Sequence, residues 1–124
     1  MKIVIIGNTR GDLDIVNKYA DIENADCVLC TGDIGLFPYH AENRPKMFTK
    51  NTFFEYLEGK KYFSVPFYCI HGLYDNIAMY YDLVKNPNLI KNFNLIRDGS
   101  IYLFDKIRIG GIGGRYSKKT YTEN

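Results

Sequence analysis

The chain has 124 residues, 46% apolar and 24% charged, with a formal net charge of +2. That is enough apolar chain for one compact domain spanning residues 1–124, and too mild a charge to mark out a nucleic-acid face. No run approaches the roughly 18 to 20 consecutive apolar residues that cross a bilayer, and three cysteines, Cys27, Cys30 and Cys69, make no even disulfide framework. The opening Met1–Ile6 stretch is too short for a secretory core and no small-residue cleavage site follows it, so a cytoplasmic location without membrane attachment is expected.

Ile3 to Ile6 is an unbroken β-branched run closed by Gly7, the pattern of a central parallel strand covered on both faces. Gly11 and Asp12 read as a turn and helix N-cap, and Leu13, Val16 and Ala20 recur at helical spacing with Asp14 in the first turn. Cys27 to Thr31 is the next strand and runs into Gly32-Asp33, which completes a βαβ unit. Inside that strand Cys27 and Cys30 point to opposite faces, which argues against a redox or zinc C-x-x-C.

A loop with Pro38 and Pro45 precedes a short helix marked by Phe53, Tyr56 and Leu57 and stopped by Gly59. Pro66 opens a third strand, Phe67 to His71. Ile77, Tyr80, Tyr81 and Val84 form an i, i+3, i+4, i+7 stripe that ends before Pro87. Phe93 to Ile96, Ser100 to Phe104 and Ile107 to Ile112 are short strands, the last two pairing through a turn at Asp105-Lys106. The fold class is α/β, and the strand ends bearing Asn8, Asp33 and Gly72–Asp75 converge at one carboxyl edge, where open α/β sheets place their sites.

Three segments at those ends carry the functional signal: Gly7-Asn8-Thr9-Arg10-Gly11, Thr31-Gly32-Asp33-Ile34-Gly35 and His71-Gly72-Leu73-Tyr74-Asp75-Asn76. Their order and spacing resemble the calcineurin-like metallophosphoesterases. The stretch Phe54–Lys61, with Val65-Pro66 behind it, is most similar to the branch near the lariat debranching enzymes. The resemblance implies a mixed sheet flanked by helices, the first half of that family's β-sandwich, with the remaining His ligands lying past residue 124. It also implies two metal ions held by an Asp-x-His, a Gly-Asp and a Gly-Asn-His-Glu or Gly-Asn-His-Asp.

Against that pattern the chain has Asn8-x-Arg10 in place of Asp-x-His, and Leu73-Tyr74 in place of Asn-His. A dinuclear site makes a hydroxide and clamps developing negative charge with two cations, so it needs several anionic or imidazole ligands. An amide is a poorer donor than a carboxylate, a guanidinium is a fixed cation, and a phenol with a pKa around 10 is a weak general acid at neutral pH. No catalytic residue is assigned. Asp33 and Asp75 are vestigial metal positions, and Arg10 is expected to pair with Asp33, or with Asp75, in place of the metals.

Asn8, Arg10, Gly72, Tyr74 and Arg115 are the candidate phosphate- or partner-binding residues. Of the two histidines, His40 and His71, neither falls on a family ligand, and His71 reads as a hydrogen-bonded residue at a strand end. A new mononuclear site from Asp12, Asp33, His71 and Asp75 is the rival reading. Gly110–Gly114 forms either an anion-binding nest beside Arg115 or a tightly packed strand and turn, with packing preferred.

The function expected from these substitutions is non-catalytic. It is binding of a protein or nucleoprotein partner on a phosphoesterase-like scaffold, with an inhibitor or decoy of the kind phages and mobile elements use against host defence as one form. Two alternatives stand beside it. One is a metal-dependent phosphodiesterase or phosphatase whose rearranged site takes Mn, Zn or Fe; the other is a nucleic-acid or nucleotide phosphate binder. No cofactor is expected otherwise. Eleven tyrosines and eight phenylalanines without tryptophan point to an exposed sheet face that a partner or a second copy covers.

Overall fold

A computed structural model describes residues 1–38, 45–48 and 50–114. His40 and Arg115 lie outside the described residues.

Strands β1 (Ile3–Ile6), β2 (Cys27–Cys30), β3 (Phe67–Cys69) and β4 (Phe93–Leu95) form one parallel sheet in that spatial order. Helices α1 (Asp14–Glu23), α2 (Phe53–Leu57) and α3 (Ile77–Lys85) lie in the connections. Each crossover turns the same way, so Val16 and Ala20 of α1, Phe53 and Tyr56 of α2 and Tyr80 of α3 share one core with Val28, Phe67 and Phe93. A hairpin of β5 (Ile101–Phe104) and β6 (Ile107–Gly110) covers the other face through Tyr102, Phe104, Ile107 and Ile109, which pack on Leu29, Tyr68, Ile70 and Ile96. The result is three layers: helices, parallel sheet, hairpin. The chain is α/β, as predicted, with its antiparallel pairing confined to the hairpin.

The helix-side core is strongly aromatic. Phe63 is fully buried, stacks on Tyr56 at 4.3 Å between ring centroids and lies 5.0 and 5.9 Å from Phe67 and Phe93. Residues predicted as core from helical spacing, Leu13, Val16, Ala20, Phe53 and Tyr56, are all buried. The α3 stripe is only half right: Tyr80 is buried, whereas Ile77 and Tyr81 are 51% and 55% exposed. The helix presents two residues of its stripe to the core, Tyr80 and the half-buried Val84, and leaves two outside.

Two further expectations are corrected. Asp12 does not cap α1; Leu13 stands at the cap without a side-chain bond, and its amide donates instead to Thr52 Oγ1 at 2.8 Å, so the helix start is tied to α2. And β1 is an edge strand. Its apolar run reads as a doubly covered strand, but among the described residues one side has no neighbour, and the hairpin stops at Leu29, leaving Ile5 68% exposed. Asn76, by contrast, caps α3 through Oδ1, which accepts from Met79 N at 3.0 Å.

Candidate functional site

Three loops leave the carboxyl ends of β1, β2 and β3, and they are bound to one another mainly by backbone. Arg10 N donates to Asp33 O at 2.8 Å and Gly11 N to Ile34 O at 3.0 Å. Thr9 Oγ1, on a buried side chain, adds a bond to Ile34 O at 2.9 Å, and Thr31 Oγ1 bonds Gly7 O at 2.7 Å. Glycines permit this closeness. A methyl on Gly35 would collide with the Gly11 backbone, one on Gly11 with the Lys50 carbonyl, and one on Gly72 with Asp33. Gly11 and Gly35 also have φ of +94° and +100°, a region where other residues are strained.

Asp75 is the hub. It is 6% exposed, and its two oxygens accept four backbone amides: Ile34 (3.1 Å) and Gly72 (2.8 Å) on Oδ2, Gly35 (2.9 Å) and Leu36 (2.9 Å) on Oδ1. Burial pushes its carboxyl above the ordinary value against the downward pull of those amides. The carboxylate read as a vestigial metal position is thus committed to holding the second and third loops together.

Asp33 sits half-buried at φ +45°, and its Oδ1 accepts Tyr74 N at 2.9 Å. Asn8, oriented by its hydrogen bonds, donates Nδ2 to the carbonyls of Gly7 (2.9 Å) and Gly32 (2.8 Å). The predicted Arg10 ion pair is absent. Arg10 is exposed at φ +52°, and no ion pair joins its guanidinium to Asp33 or Asp75. Its side chain turns outward because the backbone bond to Asp33 O holds the loop in a left-handed turn. Leu73 and Tyr74, 41% and 40% exposed, stand at the tip of the third loop.

The sequence did not single out Thr9 or Asp98. Asp98 lies in Arg97-Asp98-Gly99-Ser100, which reads only as a turn. Its Oδ2 accepts from His71 Nε2 at 3.0 Å and its Oδ1 from Gly113 N at 2.7 Å, while its own amide donates to Tyr80 Oη at 2.8 Å. His71, 7% exposed, lies against the Tyr80 ring, and its carbonyl accepts Gly114 N at 2.7 Å. These bonds use the amides of Gly113 and Gly114. A methyl on Gly111 would come within 2.6 Å of Ile70 Cγ2. The glycine run is packed against the end of β3, as preferred over an anion nest.

Burial alone would raise the Asp98 carboxyl, but the Gly113 amide and His71 outweigh it and hold it below the ordinary value. Asp14 is likewise held low, against burial, by Tyr56 and Lys61. A depressed folded value contributes stability that is complete above the unfolded value of about 3.9 and is lost as pH falls through the folded one. Thermal melting should therefore weaken as pH falls below about 4, and Asp98→Asn should reduce that acid dependence; an unchanged acid slope would remove Asp98 from the account. The thiols do not titrate usefully. Burial pushes Cys30 up to about 11 and Cys69 well above its ordinary value, which leaves both unreactive.

Among the described residues no three His, Cys, Asp or Glu side chains group closely enough to hold a metal ion, and no helix is long and apolar enough to cross a membrane. What the edge defines is a set of three interlocked loops on an α/β sheet, with carboxylates turned toward backbone amides and an exposed rim of Asn8, Arg10, Leu73 and Tyr74.

The lariat debranching enzyme of Arabidopsis thaliana is 28% identical over 132 aligned positions, which cover 98% of this chain and 32% of that enzyme. The chain spans about a third of the length of that relative, and the likeness supports a distant, metallophosphoesterase-like relationship. No family model and no solved structure matches.

Proposed function

We propose that the chain is a non-catalytic binding protein on a metallophosphoesterase-like scaffold, which engages a protein or nucleoprotein partner through the rim of its carboxyl-edge loops. The observation that carries this reading is the division of labour among the motif side chains. Asp75 spends both oxygens on four amides and Asp33 spends one on Tyr74 N, while Arg10, Leu73 and Tyr74 face outward. Two divalent ions need several converging anionic or imidazole donors, and a carboxylate saturated by amides beside an outward cation does not supply them. The donor set on these loops does not fit a dinuclear centre. Arginine and tyrosine at an exposed rim are, instead, side chains that anchor interfaces.

A second reading rests on the same free guanidinium. Arg10, without an ion pair among the described residues, is available to a phosphate or other anion, with the amide side chain of Asn8 on the same loop. An inhibitor or decoy role belongs to the first reading, and a nucleotide or nucleic-acid ligand to the second.

The deciding experiment is metal analysis of the untagged protein after incubation with Mn²⁺, Zn²⁺ and Fe²⁺, read together with hydrolysis of a generic phosphodiester. The expected result is neither stoichiometric metal nor turnover. Metal at one or two ions per chain, with turnover that Asp33→Ala abolishes, would overturn the non-catalytic reading in favour of a rearranged phosphoesterase.

A further inference from the structure

We infer that the edge of β1, which has no neighbour among the described residues, is a self-pairing surface: two copies of the chain join antiparallel through Ile3–Ile6, and their α1 helices pack across the seam. This goes beyond the reading of the loop edge and does not depend on what that edge binds.

The strand itself carries the first argument. Exposed edges are ordinarily guarded by lysine, proline, a bulge or an inward charge, and Ile3-Val4-Ile5-Ile6 has none of these. The second is the orientation of α1. Val16 and Ala20 point into the sheet, while Asp14 reaches Tyr56 and Lys61, and Asn17 bonds Tyr62 O and Ser64. Tyr62 and Ser64 lead into β3, so that flank of the helix faces the interior of the sheet. The opposite flank, Ile15, Tyr19 and Ile22 at i, i+4, i+7, therefore overhangs the free side of β1. Tyr19 is 43% exposed and Ile22 62%.

Geometry selects a second copy as the occupant. Paired strands lie about 4.8 Å apart, and α1 contacts both β1 and β2, so its axis stands roughly one strand spacing from a new seam. A two-fold axis at the seam sets α1 and its mate about 10 Å apart, the separation at which helices pack. The flank also reads nearly the same from both ends: in an antiparallel pair Ile15 faces Ile22 of the partner and Tyr19 faces itself.

Charge permits it. The residues a two-fold brings onto their own copies are those at the axis, here Val4 or Ile5 on the strand and Tyr19 on the helix, all uncharged. Met1, Tyr19 and Ile22 are 60%, 43% and 62% exposed, on the order of 300 Å² at roughly 200 Å² for a large side chain, while Ile5 lies on the other face of the strand and adds only its contact with the partner strand. With the strand edge, Ile5 and Ile15 added, the interface stays below the roughly 800 Å² per partner of a standard one, so association should show at high micromolar concentration.

Sedimentation equilibrium of the full chain at high micromolar concentration tests the proposal, with Ile5→Lys on the strand, Ile22→Glu on the helix flank and Ile101→Lys on the outer face of the hairpin as a control. The wild type and Ile101→Lys should be dimers, and the other two folded monomers. Tyr19→Cys should additionally cross-link to dimer with a short bis-maleimide, because the native thiols are buried. A monomeric wild type would overturn the inference, as would a dimer that survives both Ile5→Lys and Ile22→Glu or is lost only in Ile101→Lys. Should Ile5→Lys fail to fold, the surface variant Ile22→Glu and the cross-link decide.

Discussion

Asp75→Ala is expected to lower stability by roughly 4 kcal/mol, a large share of the 5–15 kcal/mol typical of a domain. The carboxylate is the common acceptor for Ile34, Gly35, Leu36 and Gly72 amides, and only 6% of the residue is exposed. Removing it strands four donors in a space where water reaches them poorly, each at a cost of about 1–3 kcal/mol before relaxation. Asp75→Asn is the sharper variant. Its shape is unchanged, yet one of its two polar atoms becomes a donor and must face two amides that also donate. Urea unfolding with a shared slope reads the loss directly. A loss below about 1 kcal/mol for either variant would mean that the direct backbone bonds between loops suffice, and that the carboxylate is spare for another role.

Local pattern was the legible part of the fold. Strand β1 begins and ends where its apolar run does, the α1 core positions follow from 3.6-residue spacing, and the β5–β6 turn falls at Asp105, whose φ is +53°. What local pattern does not encode is which neighbours a strand receives. An all-apolar run is the same string whether it lies in the middle of a sheet or at its edge, so it suggests a central position that β1 does not have. The Asp12 cap fails for a related reason: Thr52, thirty-nine residues past Leu13, supplies the oxygen, and no short-range rule reaches that far.

The same limit explains the site. The converging loops were legible because parallel strands bring their carboxyl ends together. The direction of each side chain was not. Arg10 was read as a replacement cation for Asp33 because charges in one motif set invite pairing, but the chain joins these residues by backbone, Arg10 N to Asp33 O, and that bond turns the guanidinium away. Asp98 escaped notice because its partners, His71, Tyr80 and Gly113, come from three separate segments. The positions that match the phosphoesterase pattern, Gly32, Asp33, Gly72 and the acidic Asp75, share inward contacts between loops. Those that depart from it, Arg10, Leu73 and Tyr74, are exposed. Backbone packing and side-chain chemistry are demands on different atoms, so the contacts that hold these loops together do not fix which side chains stand at their rim.

Gly72→Ala isolates that architectural demand. A methyl at Gly72 would overlap the amide nitrogen and carboxylate of Asp33, and Gly72 does not have the positive φ that would make any side chain strained for a separate reason. Relief requires the third loop to retreat from the second. Retreat stretches Gly72 N to Asp75 Oδ2 (2.8 Å) and Tyr74 N to Asp33 Oδ1 (2.9 Å) together. The expected loss is about 3 kcal/mol, the upper part of the range for overpacking a rigid site. Gly7→Ala is the matched control, since nothing lies within 4 Å of a methyl there; it should change stability by less than about 0.5 kcal/mol. If the two variants unfold at the same urea concentration, the loops are not interlocked at Gly72, and the glycine's place in the motif needs a ligand rather than a neighbouring backbone to explain it.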